Sequence, residues 1–240
     1  MDVYFITGAS KGIGFELLKQ LQVKGEKVIG IARTLPEDVE GFVLADLAEV
    51  NQLDGLISGL IDDNKASATS FTLINNAGVV DPIGLIGDVQ SQDISKALDI
   101  NLAAPMILSN AFISQLKDFE GTKRIVNISS GAGRNAYEGW GAYCTTKAGL
   151  DHFSRVVAVE QSNAQFPVKI VAIAPGIIDT GMQETIRASE ADAFPLLDQF
   201  INYKEQGLLS SAMETAEKII TFMENEDFGA VGPIVDIREF

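Results

Sequence analysis

The sequence predicts an α/β fold, a doubly wound parallel sheet with helices on both faces. Three observations carry this. Short runs of apolar and β-branched residues recur along the chain, too continuous for strands with one wet face. Between them lie stretches whose apolar residues return every three or four positions. A glycine-rich segment, Thr7-Gly8-Ala9-Ser10-Lys11-Gly12-Ile13-Gly14, stands where the first strand should give way to the first helix. Strands buried on both faces need a helical layer on each, and right-handed crossovers supply it.

Taken in order, residues 3–7 (VYFIT) form the first strand and stop at Gly8. Residues 13–24 follow as a helix with Phe15, Leu17, Leu18 and Leu21 as its apolar positions, and Gly25 closes it. Lys27–Ala32 is the second strand and residues 41–45 the third. Residues 50–60 set Leu53, Leu56, Ile57 and Leu60 on one helical face. Next come a strand at 71–74, one long helix over 91–116 and a strand at 125–128. A helix at 140–160 and a strand at 168–173 continue the alternation. Residues 179–210 read as helical but rich in turn and polar residues, either a lid over a site or a peripheral helical pair. No repeat or linker interrupts the chain, so a single domain over 1–240 is expected.

Charge and composition exclude several functions. Acids outnumber bases 33 to 18, for a formal net charge of −15. Such a surface repels nucleic acid and anionic lipid, which leaves a small molecule as the expected partner. One cysteine, Cys144, allows no intrachain disulfide and reads as a buried structural thiol. With His152 the only histidine, a catalytic zinc lacks its usual three ligands, so no metal is expected. The start, Met1-Asp2-Val3-Tyr4, has no basic n-region, and no continuous apolar run reaches ~18 residues. A cytoplasmic protein is expected.

The glycine loop has a chemical reading. Glycines there let the backbone approach a pyrophosphate, and the helix N-terminus offers free N–H groups and a positive dipole end. Its spacing is G-x-x-x-G-x-G. Further motifs follow in order: Asn75-Asn76-Ala77-Gly78 after the fourth strand, Asn101 within DINLAAP, Asn127-Ile128-Ser129-Ser130, Tyr143 with Lys147 four residues on, and Pro175-Gly176 with Thr180 beyond. The series from residue 7 to residue 180 resembles the short-chain dehydrogenase/reductase family. That resemblance implies a single-domain three-layer Rossmann-type fold and a nicotinamide cofactor. The cofactor half is then about 1–130 and the catalytic and substrate half about 131–240.

The resemblance also implies roles. Tyr143 and Lys147 share a helical face. A free phenol has a pKa of ~10, and an ammonium close by lowers it, so Tyr143 becomes general acid for reduction and base for oxidation. Lys147 also holds the cofactor ribose. Ser130 orients the substrate oxygen, with Ser129 the competing candidate and a structural residue. Asn101 places a water that restores the proton on Lys147. Gly8, Ser10, Lys11, Gly12, Ile13 and Gly14 would bind the cofactor. So would Asn75, Ala77, Gly78, Pro175, Gly176, Ile178 and Thr180, and Asp46-Leu47 resembles the adenine-contacting pair. The second strand ends Ala32-Arg33-Thr34 with no acid for ribose hydroxyls. Arg33, joined by Lys11, instead suits a 2′-phosphate, which implies NADP(H). Tyr137 and Trp140 either line the substrate pocket or pack.

Within the family, the segment IVNISSGAGRNAYEGWGAYCTTKAGLD, then APGIIDTGMQ and the ending GPIVDIREF, resemble the sepiapterin reductase and bacterial benzil reductase branch. This implies reduction of an activated ketone, an α-diketone such as benzil or a pterin side-chain carbonyl. Asp236 matches the aspartate that anchors a pterin, or else closes the last strand. Alternatives are an oxidative alcohol or hydroxysteroid dehydrogenase and a catalytically inactive NADP(H) sensor. A homodimer or homotetramer is implied, built on the helices at 91–116 and 140–160, with Ala103, Ala104, Ala148 and Gly149 allowing close approach.

Overall fold

The computed structural model describes residues 1–35 and 39–240. Side chains of β1 (Asp2–Thr7) alternate between two cores: Tyr4 and Ile6 face one, Val3 and Phe5 the other. β2 (Lys27–Ala32), β4 (Ser70–Asn75), β5 (Thr122–Ile128) and β6 (Lys169–Ala174) are likewise almost wholly buried. The third strand is shorter than the sequence predicts: β3 covers only Phe42–Leu44, at the sheet edge, where Leu44 is exposed. With β7 (Ile234–Asp236), the described residues form one seven-stranded parallel sheet in the order β3-β2-β1-β4-β5-β6-β7. The Rossmann-type α/β expectation therefore stands.

The helical layers explain the two cores. α1 (Gly12–Val23) and α8 (Ala212–Asn225) cover one face, burying Leu17, Leu18, Ala216, Ile219 and Phe222. α2 (Leu53–Lys65), α4 (Ala104–Gln115) and α5 (Gly141–Gln161) cover the other with Ile57, Ile61, Leu108, Phe112 and Val157. The helix expected at 50–60 begins as a 3-10 turn at Val50–Gln52, and its α-helical part runs to Lys65.

The long helix expected at 91–116 is interrupted. α3 (Ser91–Leu98) and α4 are joined by a π turn at Asp99–Ala103. The extra residue in that turn lies where Asn101 is buried, and π turns commonly mark such functional positions. The run Ser91–Gln115 is long and apolar enough to cross a membrane by length and composition, and half of its most apolar window is buried in the protein core.

Residues 179–210 contain α6 (Gly181–Arg187) and α7 (Leu197–Glu205), which lie over the carboxyl ends of the strands. Parallel pairing places every β-to-α turn at that edge, where ligands bind in open α/β sheets.

Candidate active site

A cavity of about 950 Å³ runs along the carboxyl edge of the sheet. At one end stand Arg33, Thr34, Asp46 and Leu47, beyond β2 and β3. Its middle is the glycine loop: Gly8, Ser10, Lys11, Gly12 and Ile13. Ala77, Gly78, Pro175, Gly176, Ile178 and Thr180 line it too, and at the far end stand Ser130, Tyr143 and Lys147.

The glycine loop needs glycine for two physical reasons. Gly8 and Gly12 have φ of +66° and +58°, in the left-handed region. A Cβ on Gly8 would also stand 2.8 Å from the Ala77 backbone. Gly14 is corrected as a cofactor contact. It does not line the cavity, and its Cβ would meet the Gly8 carbonyl oxygen at 2.6 Å, so its glycine serves close packing of α1 under the loop.

Asn75 is corrected as well. Its amide is buried and donates to Asn127 Oδ1 at 2.8 Å and Ser109 Oγ at 3.3 Å, away from the cavity. The neighbouring Asn76 faces the cavity and ties the loop, donating to the carbonyls of Thr7 at 3.0 Å and Gly8 at 3.2 Å.

Asn101 is a brace. Its Oδ1 accepts from the Val79 amide at 2.8 Å, and its Nδ2 donates to the Val79 carbonyl at 2.8 Å and to Thr146 Oγ1 at 3.3 Å. Both ends of the amide hold the strand-to-helix loop.

Ser130, two residues past β5, is extended and caps the short turn Gly131–Gly133, accepting from the Ala132 amide at 3.1 Å. Ser129, expected to be structural, donates to Asp151 Oδ1 at 2.5 Å. Lys147 is only 4% exposed and donates to the Ile128 carbonyl at 2.8 Å, with its Nζ 5.8 Å from the Tyr143 ring centre.

The expected lowering of the Tyr143 phenol by Lys147 is corrected. Burial pushes the phenol above its ordinary value, and the Ser130 hydroxyl beside it opposes that only in part. Desolvation by burial is the largest influence on the phenol, and the neighbouring Cys144 acts in the same direction. Burial also pulls Lys147 down to about 8, with the Asp151 carboxylate opposing. Lys147 therefore remains mainly cationic at neutral pH while Tyr143 keeps its proton.

The Lys147 shift has a consequence for stability. The folded value of about 8 lies below the 10.5 of an ordinary lysine, so between them the unfolded chain holds more protons. The buried cation costs the fold stability below about pH 8, and that cost fades as pH rises through the window. Lys147→Met is therefore expected to raise the melting temperature at pH 7, by on the order of 5 °C. Calorimetry at pH 7 and 10 checks this, because the gain should shrink at the higher pH.

Asp236, expected at the substrate, is paired within the C-terminal arm. Its carboxylate accepts from Arg238 through the backbone amide at 3.1 Å, Nε at 2.8 Å and Nη2 at 2.5 Å, and it does not line the cavity. Arg238 reaches the cavity in its place.

An aromatic wall closes the substrate end. Trp140 stacks on Phe194 with centres 4.9 Å apart and meets Phe200 edge-on at 5.1 Å and Tyr143 edge-on at 5.4 Å. Tyr137, Trp140, Met182, Ile186, Phe200 and Tyr203 line the cavity there, and Tyr137 and Trp140 thus both pack and line it. Cys144 is half-buried and packs against this cluster.

Comparison with known proteins decides the family. The family model for short chain dehydrogenase matches residues 2–191. The chain belongs to the short-chain dehydrogenase/reductase family. A benzil reductase ((S)-benzoin forming) from Bacillus cereus is 41% identical over 253 residues, covering 100% of both chains. A sepiapterin reductase from Meriones unguiculatus is 28% identical, covering 94% of this chain and 92% of its own. The crystal structure of a short-chain dehydrogenase/reductase from Saccharomyces cerevisiae superposes with a TM-score of 0.82 at 27% identity, over 99% of this chain and 96% of that one. The branch read from the motifs is thereby supported, and the cavity is that of an oxidoreductase acting on C=O and CH–OH groups with a nicotinamide cofactor.

The residues present fit that cofactor. Gly8 and Gly12 leave a concave floor that side chains would fill, and Lys11 and Arg33 line the cavity without an ion pair among the described residues. Reasoning from sequence does not find Asn76, Met182, Phe200, Tyr203 or Arg238. For Arg238 a signal exists, since Asp236-Ile237-Arg238 places opposite charges two residues apart near the chain end.

Proposed function

We propose that this enzyme is an NADPH-dependent carbonyl reductase for activated aromatic ketones, α-diketones such as benzil in particular. The observation that carries this is the juxtaposition of Ser130 and Tyr143 with an aromatic wall, in a chain 41% identical to a benzil reductase. The glycine loop and α1 N-terminus would hold the pyrophosphate, Asp46 and Leu47 the adenine, and Lys147 the ribose near the nicotinamide. Arg33 and Lys11 would take the 2′-phosphate. When bound, the cofactor supplies the hydride.

The chain's own residues do the rest. The aromatic wall excludes water and stacks a ring of the substrate. Ser130 Oγ donates to the carbonyl oxygen and stabilises charge growing there. Tyr143 holds its proton at neutral pH because of burial, which is the state a general acid requires, and delivers it to that oxygen from Oη. Lys147 keeps a positive charge beside the phenolate left behind. A second carbonyl activates the first toward hydride and gives Ser130 and Tyr143 two adjacent acceptors. A cytoplasmic setting fits this reading.

The test is product analysis. Benzil and NADPH should yield one enantiomer of the hydroxyketone, because the wall holds the substrate by one face. A racemic product would remove the branch-level assignment.

Assembly is a second expectation. We place a homodimer, or a tetramer built from it, on α3, α4 and α5. Of the small residues the sequence suggests, Ala104 is fully buried under the sheet and Gly149 lies against Leu102 of the same chain, while Ala148 is exposed and Ala103 partly so. The exposed apolar residues Leu98, Met106, Val156 and Val159 would add to that surface. Light scattering at micromolar concentration should give twice or four times the mass of one chain, and a monomer would count against it.

A further inference from the structure

α5 carries a third buried ionisable group besides Tyr143 and Lys147. Asp151 lies eight residues past Tyr143 and four past Lys147, on the same helical face, and is 1% exposed. Both of its oxygens are engaged by the segment that follows β5. Oδ1 accepts from Ser129 Oγ at 2.5 Å, and Oδ2 pairs with Arg134 Nε at 3.2 Å. Ser129 and Arg134 bracket Ser130, so the carboxylate grips that segment at both ends. Between them the backbone lies against α5: a Cβ on Gly133 would stand 2.8 Å from the Lys147 carbonyl oxygen and 3.1 Å from Asp151 Oδ2. Arg134 also donates to the Val235 carbonyl at 3.0 Å, which ties the same segment to β7.

A buried carboxylate costs the fold unless it is paired, and replacing such a network by apolar packing is often no less stable. Stability alone gives little reason for it. Its placement one turn beyond Lys147 gives a functional one. We propose that Asp151 is a positioning residue: it fixes the segment bearing Ser130 against the helix bearing Tyr143, and it is the counter-charge to Lys147. This rests on the reading of Ser130, Tyr143 and Lys147 as the catalytic set.

The charged and titratable groups around Lys147 support the second part. On α5 they are Tyr143 and Asp151, and the β5–α5 segment contributes Arg134, which is paired with Asp151. The strand end and the π turn present Ser129, Ser130 and Asn101, none of them charged. Asp151 is the carboxylate that favours the cationic form of Lys147 against burial. Arg134 shares that carboxylate, so removing Arg134 should strengthen its effect on Lys147.

The test uses the full chain labelled with lysine carrying ¹³C at Cε, so that Lys147 is titrated directly by NMR, beside the pH profile of kcat/KM for benzil. Asp151→Asn keeps an acceptor for Ser129 and removes the charge. Its Lys147 titration, and the pH dependence that follows it, should move down by about one unit, and kcat at pH 7 should fall ~10-fold. Arg134→Gln, at a partly exposed site, should move the same titration upward. Ser129→Ala keeps the charge and loses the latch; it should lower kcat at least ~5-fold with the titration unmoved and NADPH affinity unchanged.

A Lys147 titration unmoved in both charge variants, or an unchanged kcat in Ser129→Ala, overturns the proposal. If Asp151→Asn does not fold, Arg134→Gln and Ser129→Ala decide each half. Failure of the wild-type enzyme to reduce benzil would instead overturn the proposed function, which keeps the two failures apart.

Discussion

Tyr143→Phe is expected to lose ~10²–10⁴ of the rate of carbonyl reduction while still binding NADPH. The substitution removes one oxygen and keeps the ring. That ring meets Trp140 edge-on at 5.4 Å, so the aromatic wall should keep its shape. The phenol lies 7% exposed, so no water replaces its proton efficiently. The hydroxyl also meets the Met182 sulfur at 4.0 Å, a weak contact whose loss costs little stability. An unchanged melting temperature, unchanged NADPH binding and a collapsed kcat would together assign the hydroxyl to proton transfer. Near-wild-type turnover would remove Tyr143 from the mechanism. If the wild-type chain binds NADPH yet reduces nothing in a panel of diketones, quinones and pterins, the inactive sensor is the better reading.

Arg33→Asp should exchange the cofactor preference. Arg33 stands just past β2 at the mouth of the cavity, exposed and without an ion pair among the described residues. A guanidinium there can meet a 2′-phosphate through two parallel hydrogen bonds. An aspartate removes that partner and repels the phosphate, but accepts hydrogen bonds from ribose hydroxyls. The ratio of kcat/KM for NADPH over NADH should fall by ~10²–10³, since both an attraction is lost and a repulsion gained. Steady-state kinetics with each cofactor checks it. A wild-type enzyme indifferent between the two would contradict the reading of Arg33 and Lys11.

Most of the sheet was legible because its strands are buried on both faces and its helices are amphipathic. The glycine loop was legible because φ above zero and backbone contact both demand glycine there. Tyr143 and Lys147 were legible because four residues make one helical turn. Other parts depend on burial or on which way a side chain faces. Asn75 and Asn76 are adjacent in the chain, but at the end of β4 one turns into the core and the other to the cavity. The Tyr143 phenol moves opposite to expectation because burial, a property of the fold, is the largest influence on it.

The aromatic wall joins Trp140 to Phe194 and Phe200, more than fifty residues on, and no local spacing announces such a contact. By contrast, α8 carried a readable signal: Ser211 and Glu214 form a capping box at its start. The Arg238 pairing with Asp236 was also readable, from opposite charges two residues apart.

The most direct measurement is the rate of NADPH consumption by the wild-type enzyme with benzil and with acetophenone, compared as kcat/KM. Benzil offers an activated carbonyl, a second acceptor for Ser130 and Tyr143, and a ring for the Trp140 wall; acetophenone keeps a ring and loses the other two. Benzil should be preferred by at least ~10-fold, given that an unmet hydrogen bond in a buried site alone costs ~1–3 kcal/mol and the activated carbonyl adds to it. Equal values for the two ketones would contradict an enzyme built for activated dicarbonyls.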